Sequence, residues 1–189
     1  MSIAKDRGKV GVGAAADAAK GWSAPARGTF SRGEVEAAFL EYVRRANIND
    51  WNLYSDMFTD ECVYIDPYFG TFRSPQQIKD FQNPLMATQS EMRFVPGWYM
   101  IEGDRLINYN WNRWPNPDGS GEPCGEYPNR FPVESYRYQF PCVTLNRYAG
   151  NGLFWYEEDI YSPDAYLEIR GAWLREMRRL GKPVSDPGT

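Results

Sequence analysis

Between Val35 and Pro67 the spacing of apolar side chains changes from a helical period to a strand period, and that change restricts the folds open to this chain. Val35, Phe39, Tyr42, Val43 and Ala46 recur as one buried helix face, which points Tyr42 into the core. Residues 47–50 form a polar break with a capping residue. Trp51, Tyr54 and Phe58 then continue as a second short helix that stops before Thr59 and Asp60. Residues 62–66 alternate as a strand, with Cys62, Tyr64 and Asp66 on one face and Val63 and Ile65 on the other. Pro67 has no amide proton for a ladder, so the strand releases Asp66 at its end.

The remaining elements follow from local signals. Ser74, Pro75 and Gln77 have the N-cap, first-position proline and N3 glutamine of a capping box, predicting a helix over 75–88 with Ile78, Phe81 and Leu85 inward. Strands are predicted over 91–101 and 105–114 around the Gly103-Asp104 turn, and over 136–148 and 153–161 around a second glycine-containing turn. A last helix starts after Ser162-Pro163 and runs to Leu180. The order helix, helix, strand, helix, strands predicts an α+β fold in which a strongly curved, mostly antiparallel sheet wraps the N-terminal helices. The domain spans 30–181, flanked by a mobile or partner-hugging tail over 1–29 and a short tail over 182–189. The Pro/Gly-rich stretch over 115–133 is long for a connector and reads as a lid or an oligomer contact.

Composition excludes several functions. At 189 residues the chain suits one domain, and a net charge of −4 with scattered Lys and Arg argues against a nucleic-acid surface. Three cysteines have neither the count nor the spacing of a disulfide framework or zinc site, so a reducing cytoplasm is the simpler expectation. No apolar run is long enough to span a membrane. The chain contains no histidine, which removes His-ligated metals and Ser-His triads, and no glycine-rich phosphate loop follows a strand. No metal and no cofactor are therefore expected. Proton transfer must use carboxylate, tyrosine, lysine or water.

Over roughly residues 32–178 the chain resembles the nuclear-transport-factor-2-like superfamily, the cone-shaped α+β fold of SnoaL-type polyketide cyclases, scytalone dehydratase, limonene epoxide hydrolase and ketosteroid isomerase. The run from Tyr42-Val43 to Asp66-Pro67 lies on the matching segment of ketosteroid isomerase without a gap. That resemblance implies Tyr42 as an oxyanion donor and Asp66 as a proton-shuttling base, with Thr144 near the position of that enzyme's protonated aspartic acid. In Trp155 to Tyr161 it implies that Glu157, Asp159 and Tyr161 face the cone, Asp159 being the counterpart of the cyclases' acid/base aspartate. By the same register Tyr109, Trp111 and Arg113 face the cone, and Arg113 pairs with Glu157 or Asp159. Tyr64, Phe81 and Trp98 complete the expected substrate wall. The implied activity is a cofactor-independent acid/base lyase or isomerase acting on a bulky aromatic or polycyclic molecule, including retro-aldol deformylation of a lignin-derived diarylpropanoid. Alternatives are a non-catalytic binding or assembly domain, or an epoxide hydrolase-like or polyketide cyclase-like enzyme. Plainer roles compete residue by residue: a turn for Asp66, a core tyrosine for Tyr42, and an ion-pair network of Glu157 and Asp159 with Arg113 or Arg137. A convex apolar sheet face implies a homodimer or homotrimer.

Overall fold

The computed structural model describes residues 10–120 and 135–186, so most of the 115–133 connector lies outside the described residues. Two helices, α1 (Val10–Ser23) and α2 (Arg32–Ala46), precede a short α3 (Trp51–Ser55), β1 (Phe58–Asp66), β2 (Gly70–Phe72) and α4 (Pro75–Ala87). Then come β3 (Arg93–Glu102), β4 (Arg105–Arg113), β5 (Gln139–Gly150), β6 (Leu153–Ile160) and α5 (Pro163–Arg179). Each of α2 to α5 starts at a polar cap: Ser31, Asp50, Ser74 and Ser162 accept the backbone N–H three residues on. Gln77 reaches back to the N–H of Arg73, one residue upstream of the box predicted from sequence.

The strands form one open sheet in the order β2-β1-β6-β5-β4-β3, antiparallel except for the parallel pair of β1 and β6. Helices α2, α3 and α4 fill its inner face. Phe39, Tyr42, Trp51, Tyr54 and Ile78 pack there against Phe58, Tyr64, Leu106, Phe140 and Phe154. Two boundaries differ from the sequence reading. Phe58 belongs to β1, where it pairs with Phe154, because Met57 hands its carbonyl to the Phe154 N–H and draws the chain into the sheet. β2 has only three residues, too few for a period to show, and begins at Gly70, whose φ of +117° suits glycine.

The outer face explains the N-terminus. The stretch expected as a tail holds α1 over 10–23, which lies on β1, β2 and β5. Ile65, Trp155 and Tyr156 turn outward and pack beneath it with Ala18 and Ala24. Arg147, fully buried, donates to the carbonyls of Gly21, Trp22, Ala24 and Pro25 while its guanidinium also pairs with Asp104 at 2.8 Å. One cation thus closes the carbonyl end of α1 and neutralises a buried carboxylate. The C-terminal stretch is also engaged, since Ser185 bonds Glu91 and Asp186 pairs with Arg170.

Arg147→Ala should therefore destabilise the protein by about 3 to 5 kcal/mol, because Asp104 is left charged and buried without its partner. Urea unfolding followed by tryptophan fluorescence measures it. A loss below about 1 kcal/mol would show that α1 is not held by this contact.

Candidate functional site

Side-chain alternation along the four inner strands sets the site. Tyr64 and Asp66 come from β1, Asn108, Asn110 and Asn112 from β4, Cys142, Thr144 and Asn146 from β5, and Glu157 and Asp159 from β6. The register places Thr144 opposite Asp159 and Asn146 opposite Glu157 across β5 and β6, and Asn108 opposite Thr144 across β4 and β5. A polar stripe therefore crosses the concave face of an otherwise aromatic core.

Three carboxyl groups lie in this stripe, each held by neutral donors. Glu157 accepts from Tyr42 at 2.8 Å and Tyr54 at 3.0 Å on one oxygen and from Asn146 at 2.9 Å on the other. Asp159 accepts from Thr144 at 2.6 Å and Tyr64 at 3.1 Å, with the Cys142 thiol at 3.6 Å. Asp66 accepts the N–H groups of Tyr68 and Phe69 at 2.8 Å, and the Tyr161 hydroxyl touches both of its oxygens at 3.0 and 3.1 Å. Among the described residues no Lys or Arg forms an ion pair with any of the three.

Electrostatics follow from that lack of cations. Burial pushes Asp66 up to about 7, reinforced by the neighbouring Asp159 charge and opposed by its hydrogen bonds. Burial also raises Asp159, and it raises Glu157 well above the ordinary glutamate range with Asp159 adding to the effect. Tyr42, Tyr54 and Tyr64 are driven well up by burial first and by these carboxyls second, so their hydroxyls stay protonated donors. Protons on this cluster belong to the set of coupled groups.

Two small chambers open beside the stripe. One lies against Tyr42, Tyr54, Glu157 and the three asparagines of β4, the other against Asp66, Phe81 and Tyr161. Asp159 lines both, as do Tyr64, Gln82, Phe94 and Asn112. Their volumes are about 30 and 40 Å³, room for roughly two or three waters each.

The structure sorts the residues expected from the sequence. Tyr42, Tyr64, Asp66, Phe81, Thr144, Glu157, Asp159 and Tyr161 come together around the chambers. Tyr109, Trp111, Arg113 and Trp98 do not. Asn108, Asn110 and Asn112 take the inward positions of β4, so the alternating residues Tyr109, Trp111 and Arg113 face outward. A bulge between Pro96 and Trp98 lets Trp98, 50% exposed, stack on Tyr109 at 5.6 Å on that outer side. Arg113 lies over the Tyr136 ring at 3.7 Å and donates to Gln139, so the expected pairing with Glu157 or Asp159 is not made. Asp66 does occupy the turn that was its plainer role, and it lines a chamber as well. The sequence reading missed Tyr54, Gln82, Asn146 and the β4 asparagines. Only the last left a signal, an asparagine at every second position of Asn108 to Asn112.

Residues 39–144 match the model of the SnoaL-like domain, and the chain belongs to that family. Its fold is the cone of the nuclear-transport-factor-2-like superfamily. Among solved structures, TerC co-crystallised with polyporic acid is 16% identical, with 72% of this chain and 97% of that chain covered at a TM-score of 0.54. An LEH-like epoxide hydrolase from M. tuberculosis is 11% identical, with 78% and 97% covered at 0.55. A hypothetical protein of ketosteroid isomerase-like fold from Catenulispora acidiphila DSM 44928, in complex with trimethylamine, is 17% identical, with 75% and 95% covered at 0.52. At these identities the likeness is one of fold. No curated protein matches the chain in sequence.

The raised Asp66 gives a signed prediction. Its carboxyl binds a proton more tightly in the fold, at about 7 against an ordinary 3.8, so its contribution to stability falls as pH rises through that window and is fully lost above it. The difference corresponds to about 4 kcal/mol at 1.36 kcal/mol per pH decade. Asp66→Asn should flatten the decline in urea midpoint between pH 5 and pH 8, and an unchanged slope in the variant would reject the assignment.

Proposed function

We propose that this chain is a cofactor-independent acid/base enzyme of the lyase or isomerase type, with Asp159 as the base that takes a proton from carbon next to a carbonyl. The observation that carries the reading is the position of Asp159: it lines both chambers, with Glu157 in one and Asp66 in the other, and only neutral groups hold it. Glu157 ties helices to the sheet and Asp66 holds a turn, but at Asp159 an apolar residue of similar size would serve a mere scaffold core at lower cost than a buried carboxyl without a cation.

The chemistry follows from the coupling. Ionised Asp159 disfavours ionisation of Asp66, so near neutral pH one carboxyl acts as base while the other carries a proton to return. Tyr42 donates to the developing oxyanion. When Glu157 is protonated it donates across the 2.8 Å contact to the Tyr42 oxygen, which leaves the Tyr42 proton for the ligand. Because each chamber holds only about two or three waters, even a single planar ring requires the lining side chains to give way, and a polycycle or a diarylpropanoid requires more. An epoxide hydrolase-like set of Asp, Arg and Asp is disfavoured, because Arg113 lies on the outer face.

The test is proton exchange. The protein is incubated in D₂O with a panel of aryl and cyclic ketones, and deuterium incorporation is followed by proton NMR. Wild type should accelerate exchange at one carbon, and Asp159→Asn should lower that rate roughly a hundredfold or more with the fold kept. Full exchange in Asp159→Asn moves the base to Asp66, and absence of exchange across the panel sinks the reading.

A homodimer is proposed on the remaining apolar outer face, where Trp98, Met100 and Ile160 are 50%, 62% and 49% exposed. Light scattering at micromolar concentration should return at least twice the chain mass, and a monomer would refute it.

A further inference from the structure

We infer that Asn108, Asn110 and Asn112 are substrate-positioning residues, which hold oxygen substituents along one edge of a planar ligand and turn its other edge toward Asp159. This rests on the acid/base reading of the cavity. All three side chains are buried, at 3, 4 and 5% exposure, and all three line the chamber that also holds Glu157 and Asp159. Their Oδ1 atoms have no hydrogen-bond partner among the described residues.

Stability does not account for this choice of residue. Asparagine is depleted in strands, and a buried amide without a partner is unfavourable, whereas valine or phenylalanine at the same inward positions would pack against the aromatic wall. The large majority of buried side-chain polar atoms in proteins are paired. Here three successive inward positions of one strand break that rule on the same chamber wall, so the unmet hydrogen bonds point to a ligand. An amide end accepts from a hydroxyl through its oxygen or donates to a carbonyl through its nitrogen, so either kind of ring oxygen fits.

Geometry fixes the ligand's orientation. Successive inward residues on β4 are about 6.6 Å apart along the strand, and the β4 row lies two strands from Asp159, about 10 Å between backbones. Asn108 faces Thr144, which itself donates to Asp159 at 2.6 Å. A ring seated between them, for which the lining side chains of this small chamber must give way, has its oxygens on the asparagine side and its reacting carbon on the Asp159 side. Tyr42 and Trp51 supply the aromatic wall above it.

One-ring probes test this with the full-length chain. Dissociation constants for resorcinol, phenol and benzene, carrying two, one and no oxygens, are measured by NMR titration. Wild type should bind resorcinol roughly tenfold more tightly than benzene, with phenol between them, as two added hydrogen bonds to unpaired amides imply. Asn110→Leu and Asn112→Leu should reduce that preference to about twofold or less, and their melting temperatures without probe should equal or exceed that of wild type. Asp159→Asn should keep the preference. The assignment is overturned if wild type shows no preference, if the leucine variants retain it, or if they melt lower or fail to fold, since the amides would then be structural. A preserved preference with no deuterium exchange refutes the enzymatic reading and leaves the asparagine assignment standing; exchange without preference does the reverse.

Discussion

The Glu157 carboxyl is the interaction on which the arrangement of helices and sheet depends. Through Tyr42 it reaches α2, through Tyr54 it reaches α3, and through Asn146 it reaches the neighbouring strand. The contacts to the helices bridge more than 100 residues of chain, so they form only when the sheet has closed over the N-terminal half. Because every partner is neutral, the group favours its protonated state, and in that state its burial costs far less than a buried charge would. A single acid thus specifies where two helices sit, and burial favours its uncharged form while it does so.

That same absence of cations gives the cavity its character. In an ordinary core, buried carboxylates are paired and their affinity for protons falls. Here Asp66, Asp159 and Glu157 all move the other way, chiefly through burial, and the Asp159 charge adds to the rise of the other two. The wall of tyrosines adds hydroxyls that cannot ionise in this setting. Burial thus moves carboxyl groups toward the range that histidine, which the chain lacks, would cover, with Asp66 reaching about 7.

Much of the fold was legible because helix caps and periodic apolar faces are local signals. Ser74-Pro75 and Ser162-Pro163 mark their helices, and the face of Val35, Phe39, Tyr42 and Val43 is buried as its spacing implies. β6 also kept its inward Glu157 and Asp159, because its irregularity falls before them, where Trp155 and Tyr156 both turn outward. β4 was misread for a physical reason. Aromatic residues were assigned to the interior, yet this sheet has an interior that is polar along one stripe and an outer face that is apolar, so period two gave the right alternation and the wrong side. α1 was hidden because what holds it is Arg147, more than a hundred residues away.

The clamp of α1 also bears on how the molecule presents itself to others. The outer sheet face is divided: beneath α1 it is sealed by Ile65, Trp155 and Tyr156, and beyond it Trp98, Met100 and Ile160 remain open. The chain thus acts as its own partner over part of a surface that two sheets could otherwise share. Whatever meets the protein there meets a strip bounded on one side by its own N-terminal helix, and shortening the chain past Ala24 would change the width of that strip before it changed anything in the cavity.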